Sequence, residues 1–335
     1  MVVTNSLTGG GAEKSMNSIC NELHSYGWEV LLVPVNSSGP DYVIPNTEIQ
    51  ELNRNPSGGI LGIIITISRF NYQVLRWKPT LVIINCDLPE LLAASLLIRM
   101  KLVAVEHSSI PWNKRKILGK VIRKILDLRG TTWVAVSSHL TIWPKSNTPS
   151  LIIQNPVYVQ SSQYKNYQRS PVKRIVFIGR LSPEKRPELI LDLAYRTNIP
   201  INIIGDGELR FMLESKAREL DIHATFSGQV IDPWKLIEIG DLLVIPSETK
   251  GDGLVVVEAI LLRVPFLLSA IPEFFRFKLP KKQYFTNVLE AVEIIDAYGQ
   301  NISDLIAPQE IRIPLESARS LVKVGDSWNN FLNSL

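Results

Sequence analysis

The stretch from Pro246 to Pro265, PSETKGDGLVVVEAILLRVP, reads as the end of a β-strand, a glycine turn and a helix. The residues that lead into it, LLVIPS (242–247), have the apolar, β-branched character of a buried strand. Gly251 and Gly253 supply the turn, and Lys250 stands at its mouth. A turn of this kind delivers the free backbone amides of a helix N-terminus to one spot, where they favour an anion. Two questions follow: what the turn holds, and why a cation stands there.

Working outward, the same grammar recurs. RIVFIG (174–179), INIIG (201–205), ATFSG (224–228) and VPFLLS (264–269) predict further strands in this half. MVVTN (1–5), EVLLVPV (29–35), LVIINC (81–86), LVAVEH (102–107) and TWVAVS (132–137) predict them in the first half. Amphipathic stretches such as AEKSMNSICNELHSYG (12–27) and LPELLAASLLIRM (88–100) lie between. Apolar runs alternating with amphipathic helices predict parallel sheets made of βαβ units. The expected architecture is α/β, with two Rossmann-like domains facing across a cleft. Residues 1–160 form the first domain, the polar stretch at 161–171 a linker, residues 172–314 the second domain, and residues 315–335 a closing helix. The first strand begins so close to Met1 that it is either short or trimmed by the start of the sequence.

Length and composition agree with this. The 335 residues suffice for two domains, and 45% apolar with 20% charged residues is ordinary for a soluble globular chain. No basic stretch leading into an apolar core opens the chain. The longest apolar run, ILGIIITI (60–67), is too short for a membrane span and predicts a buried helix. Two distant cysteines, Cys20 and Cys86, lack metal-ligand spacing and point to a reducing cytoplasm.

The cations of the second half carry the chemistry. In VFIGRLSPEKRPELILDLA (176–194) a strand ends at Gly179, Arg180 follows at the carboxyl edge of the sheet, and a helix begins near Pro187. Arg180 offers a rigid fork of donors and Lys185 a mobile point charge, which together suit a diphosphate. Two solvated loop cations are the alternative. In IIGDGELRF (203–211), Gly205 and Gly207 allow a ligand close to the backbone, although Arg210 occupies the place of the third glycine of a dinucleotide fingerprint. FSGQV (226–230) closes the next strand.

Taken in order, these blocks resemble the retaining glycosyltransferases of the GT-B fold, family 4. The sequence runs strand-GRL-SPEK, then GDG, FSGQV, GDLLVIPS, the glycine turn with Glu258-Ala259, and Val264-Pro265. In the first half, NSLTGGGAEKSMNSICNEL (5–23) resembles the family's glycine loop and first helix, and EHSS (106–109) the segment with its active-site histidine. The resemblance implies transfer of a sugar from a nucleotide sugar, UDP-linked by preference, with retention of configuration. It assigns Arg180 and Lys185 to the diphosphate, His107 to the donor sugar, and Glu258 to the ribose hydroxyls. Gly228, Gln229 and Val230 would meet the base. Lys250, Gly251, Asp252, Gly253 and Leu254 would line the phosphates and sugar, with Gly205 beside them. Gly10 and Gly11 would cap the phosphates or line the acceptor side, or are tight-turn glycines with no ligand. The resemblance implies no protein nucleophile, so Glu106 and Glu13 are not nominated; the departing phosphate itself would take the acceptor proton. In the family motif a glutamate stands eight residues before Glu258, where this chain has Lys250. The lysine could pair with the diphosphate or an acidic sugar, could be idle on the surface, or could yield to Glu248 or Asp252 in a shifted loop.

No Asp-x-Asp pair or histidine–carboxylate cluster stands at a strand end, so no metal or other cofactor is expected. Residues 1–160 hold 15 Lys and Arg against 10 Asp and Glu, concentrated in WNKRKILGKVIRKILDLR (112–129). Lys116, Lys120, Arg123 and Lys124 alternate there with isoleucines and leucines at helical spacing. Such a helix can lie on an anionic membrane leaflet, as a lipid-linked glycan acceptor would require, or can be an ordinary helix with its basic face in water. No basic stripe interleaved with aromatics points to nucleic acid. Two rivals stay open: another enzyme on the same scaffold, such as a nucleotide-sugar epimerase, and a paralogue that binds a nucleotide sugar without turnover.

Overall fold

The computed structural model describes residues 1–7, 10–36, 47–108, 111–144, 151–157, 159, 170–248 and 252–335. The chain divides into two units, residues 1–156 with 319–335, and residues 157–318.

In the first unit β1 (Val2–Thr4), α1 (Gly11–Ser25), β2 (Leu31–Pro34), β3 (Glu48–Ile49), α2 (Gly59–Trp77) and β4 (Leu81–Asn85) are followed by α3 (Asp87–Ala94), β5 (Lys101–Glu106), α4 (Lys116–Leu128), β6 (Thr132–Ala135) and β7 (Leu151–Ile152). The strands form one parallel sheet in the order β3-β2-β1-β4-β5-β6-β7. Successive side chains alternate between its faces. Val2, Leu32, Ile83 and Val103 pack on one side with Met16, Ile19 and Leu23 of α1. Val3, Val33, Val82 and Ala104 pack on the other, with Phe70 and Val74 of α2 and Ile122 and Leu126 of α4.

The second unit repeats the plan. It runs β8 (Arg174–Ile178), α5 (Glu188–Thr197), β9 (Ile201–Ile204), α6 (Arg210–Glu219), β10 (Ala224–Gly228), β11 (Asp241–Ile245), α7 (Leu254–Leu262), β12 (Phe266–Ser269), α8 (Pro272–Phe275), β13 (Tyr284–Phe285), α9 (Val288–Tyr298) and α10 (Gln309–Ala318). The parallel order is β10-β9-β8-β11-β12-β13. In both sheets the first strand is central and the order reverses beside it.

The chain's end departs from the expected single helix. α10, with Pro314 inside it, belongs to the second unit, and α11 (Leu321–Asn333) belongs to the first. The break falls where Ser320, in an extended conformation, caps α11 by accepting from the Lys323 amide. Buried Arg319 donates to the Asn155 carbonyl at 2.9 Å, and Trp328 and Val324 of α11 join the core on the α1 side. The change of unit falls at Pro156–Val157, ahead of the expected linker, most of which lies outside the described residues.

ILGIIITI also departs from expectation. It forms the start of α2, but Ile60, Leu61, Ile64 and Ile65 are exposed. Only the stripe through Gly62, Thr66, Phe70 and Val74 is buried, because a helix lying on one sheet needs a single inward stripe. By length and composition the helix from Pro56 to Trp77 could cross a membrane.

Arg123 is not on the basic face predicted for it. It is 1% exposed, donating from Nη2 to Glu90 Oε1 at 2.6 Å and from Nη1 to Glu106 Oε2 at 2.5 Å, with its guanidinium 4.8 Å from the Trp133 ring. Trp112 Nε1 adds a bond to Glu90 Oε2 at 2.7 Å. The two carboxylates outweigh burial and hold the guanidinium charged. One cation cannot fully offset two buried anions, and burial pushes the Glu106 carboxyl up to about 7 against the pull of Arg123. Glu90 also moves up, for the same reason.

Glu106 therefore holds its proton more tightly folded than unfolded. Its contribution to stability is complete below the unfolded value of about 4.5 and is lost as pH rises through about 7. Urea midpoints measured across that window should fall with rising pH, and Glu106→Gln should remove this part of the slope.

Candidate functional site

Ligands of open parallel sheets sit outside the carboxyl ends of the strands where the order reverses. In the second unit that point lies between β8 and β11. The loop after β8 carries Arg180, exposed, and Lys185, half-buried. The Glu248 amide, after β11, donates to the Glu184 carbonyl at 3.0 Å and ties the two loops together. Burial would raise the Glu184 carboxyl, but the Ser182 hydroxyl, 2.6 Å away, with its own backbone and the charges of Lys185 and Arg180, lowers it. Both predicted cations thus act on one locality.

The glycines are crowded by the protein's own backbone. A Cβ on Gly205, at φ +142°, would lie 1.9 Å from the Gly179 carbonyl oxygen, and one on Gly207 would lie 2.4 Å from that of Leu181. These glycines let the loops after β8 and β9 approach each other, which keeps the edge free of side chains. Gly205 N also donates to the Gly228 carbonyl at 2.8 Å, which extends the bare edge to the end of β10. Gln229 beyond it is exposed, and Val230 is half-buried against the apolar core.

The opening turn begins to be described at Asp252; Lys250 and Gly251 lie outside the described residues. Gly253 takes a left-handed conformation, φ +65°, as it hands the chain to Leu254 and α7. Asp252 is buried, and Arg276 Nη2 donates to its backbone carbonyl and lies 3.4 Å from its Oδ1. Half-buried Glu258, one turn into α7, accepts from Trp234 Nε1 at 3.1 Å.

In the first unit the reversal lies between β1 and β4. His107 follows β5 directly, and its Nε2 is 2.5 Å from Asn85 Oδ1 at the end of β4. The Asn85 amide nitrogen donates to Thr4 Oγ1 at 3.2 Å and to the Ala12 carbonyl at 3.5 Å. With its nitrogen so used, Asn85 presents an acceptor to the ring, which places the imidazole proton on Nε2. Exposed Gly10 and Gly11, where α1 begins, adjoin Ala12 on the same edge. Glu106, just before His107, is paired with Arg123.

Sequence reasoning missed Asn85, Trp234 and Arg276. Asn85 left a trace, a polar residue closing the otherwise apolar run LVIIN. Trp234 and Arg276 belong to no motif.

Residues 161–310 match the family described as glycosyl transferases group 1. The chain is 26% identical over 179 residues to a Campylobacter jejuni protein, GalNAc-alpha-(1->4)-GalNAc-alpha-(1->3)-diNAcBac-PP-undecaprenol alpha-1,4-N-acetyl-D-galactosaminyltransferase. The match covers 52% of the chain and spans about half the length, 50%, of that relative. Among solved structures, Anabaena HepE in complex with UDP and glucose is similar over 100% of this chain and 99% of its own, with a TM-score of 0.79 and 15% identity. Sucrose-phosphate synthase from Thermosynechococcus elongatus is similar over 99% and 98%, with a TM-score of 0.76 and 14% identity. The likeness shows the fold of the chain, GT-B.

Gly205→Ala should clash with Gly179 and lower stability by about 1–3 kcal/mol, the usual cost of overpacking. Urea unfolding of the variant against wild type checks this.

Proposed function

We propose that this chain transfers a sugar, with retention of configuration, from a nucleoside-diphosphate sugar to a hydroxyl of a glycan or lipid-linked acceptor. The observation that carries this reading is the bare strand edge at Gly179, Gly205 and Gly228, with Arg180 and Lys185 in one tied loop beside it. UDP is the favoured carrier, since HepE is described with UDP and glucose. The relative named for an undecaprenol-diphosphate glycan supports a lipid-linked acceptor, used in the cytoplasm at an anionic membrane surface met by residues 112–129.

In the reaction the bond from the anomeric carbon to the diphosphate oxygen breaks, and the acceptor oxygen bonds the same face of that carbon. The acceptor proton passes to the departing diphosphate. Arg180 and Lys185 stabilise the charge that grows there, an electrostatic effect that is often the largest in such catalysis. The amides opening α7, at Gly253 and Leu254, face the phosphates. Glu258, oriented by Trp234, accepts from the ribose hydroxyls, and the backbone from Gly228 to Val230 meets the base. His107, its ring fixed by Asn85, is the residue that the resemblance assigns to the donor sugar. Protein cations do the work of a metal.

Arg180→Ala and Lys185→Ala should each reduce turnover by about 10²–10³ while leaving the fold intact. The assay is release of nucleotide from UDP-sugars in EDTA, with and without acceptor. Near wild-type rates in both variants would misplace the diphosphate, and activity that returned only with magnesium or manganese would refute catalysis without metal.

Lys250 sets the donor. A lysine in place of a glutamate changes local charge by two units, so Lys250→Glu should weaken an acidic donor, or any donor through its diphosphate. A donor panel on both proteins tests this. Faster turnover of a neutral sugar by Lys250→Glu would instead favour the non-catalytic reading of the natural chain.

A further inference from the structure

One side chain holds the turn that opens α7. Gly253, at φ +65°, has no side chain of its own to fix it, and among the described residues no side-chain bond caps α7. Glycine has the widest backbone freedom of any residue, so a turn built on one keeps a single conformation only where neighbours impose it. Arg276 is such a neighbour. Its Nη2 donates to the Asp252 carbonyl and lies 3.4 Å from Asp252 Oδ1. A Cβ added to Gly253 would lie 3.6 Å from that nitrogen and 3.6 Å from the Phe277 ring, so the turn packs directly on this segment. Arg276 is itself anchored. It leaves α8 between Phe274 and Phe277, both buried in the core that also holds Val256, Val257 and Ile260 of α7. The Tyr284 hydroxyl donates to the Phe274 carbonyl at 3.1 Å, and the guanidinium lies 4.7 Å from the Phe277 ring, a cation–π contact.

The direction of the Gly253 amide follows from peptide geometry. The peptide between Asp252 and Gly253 is trans. In a planar trans peptide the carbonyl and the next N–H point opposite ways. With the Asp252 carbonyl turned to Arg276, the Gly253 N–H points away from that arginine. It cannot turn over without breaking the guanidinium bond. A flipped peptide would aim a carbonyl, in place of an amide, at whatever the turn faces. Glycine makes that flip cheap, and an anion is repelled by its result.

We propose that Arg276 is a positioning residue: through the Asp252 carbonyl it keeps the Gly253 amide aimed at the diphosphate. The inference rests on the reading of this turn as the diphosphate site. Arg276 acts by orientation more than by charge. Its guanidinium faces the buried Asp252 carboxylate, which offsets most of the attraction it would exert on an anion. Arg180 and Lys185 supply charge to the ligand, whereas Arg276 shapes the backbone that meets it.

The test is calorimetric binding of the tightest of UDP, GDP and ADP to the full chain, with the matching nucleoside followed by ligand-observed NMR. Arg276→Met keeps the packing on Phe277 and removes the donors. The side chain is 24% exposed, so the fold should survive. The variant should bind the diphosphate at least about tenfold more weakly, the scale of one hydrogen bond to a charged group, and the nucleoside as before. Arg276→Met combined with Asp252→Asn, which also removes the carboxylate's charge, should stay as weak. Equal loss of diphosphate and nucleoside would make Arg276 a support of the fold only, and recovery in the double variant would make it a charge partner of Asp252. Either result overturns the proposal. Binding that Arg180→Ala weakens and Arg276→Met does not would refute this inference alone. A wild-type chain that binds none of the three nucleotides refutes the diphosphate reading, and this inference with it.

Discussion

The first unit depends on a guanidinium buried between two carboxylates. Arg123 comes from α4, Glu90 from α3 and Glu106 from the last residue of β5, so one charge ties three elements at the point where His107 leaves the sheet. Burying a guanidinium with two carboxyl groups carries a large desolvation cost, which raises both carboxyls, and such a cluster is seldom a net source of stability. What it gives is orientation. With Arg123, Ile122 and Leu126 inward, α4 is rotated so that Ile117, Val121 and Leu128 face out. The exposed apolar stripe of that helix is the consequence of where its arginine is held.

The two sheets solve the same problem with different materials. Each places its first strand centrally and reverses order beside it, which opens a crevice at the carboxyl edge. In the second unit glycines line that edge, and the cations sit on a loop held by backbone hydrogen bonds. In the first, a side-chain chain from Thr4 through Asn85 fixes His107. A bare edge admits a bulky anion, while a fixed imidazole presents one directed group.

The strand order and the glycine turns were legible because both are local: apolar runs of strand length, and glycines where the backbone must bend or approach closely. What was not legible depended on distant partners. Periodicity marks 112–129 as amphipathic but cannot show that Glu90 and Glu106 draw Arg123 inward. ILGIIITI has the composition of a core helix, yet one sheet face covers only one stripe of it. The break between α10 and α11 turns on Ser320 capping a new helix and Arg319 reaching Asn155, and no apolar pattern records either.

The cation at the turn after β11 can be judged by its neighbours. If the loop were shifted so that a carboxylate took the place of the family's glutamate, Glu248 or Asp252 would have to supply it. Each faces an arginine: Glu248 Oε1 lies 3.5 Å from Arg186 Nε, and Asp252 Oδ1 lies 3.4 Å from Arg276 Nη2. The Glu248 pair is exposed and holds it weakly. Asp252 is nearly sealed, and its backbone carbonyl is bound by the same arginine, so turning it toward a ligand would strip a buried carboxylate of its partner. The shifted loop is therefore costly on the Asp252 side. On the proposed reading of this turn, that leaves Glu248 as the flanking carboxylate that can turn toward a ligand, and the Arg186 pair as the contact it must break.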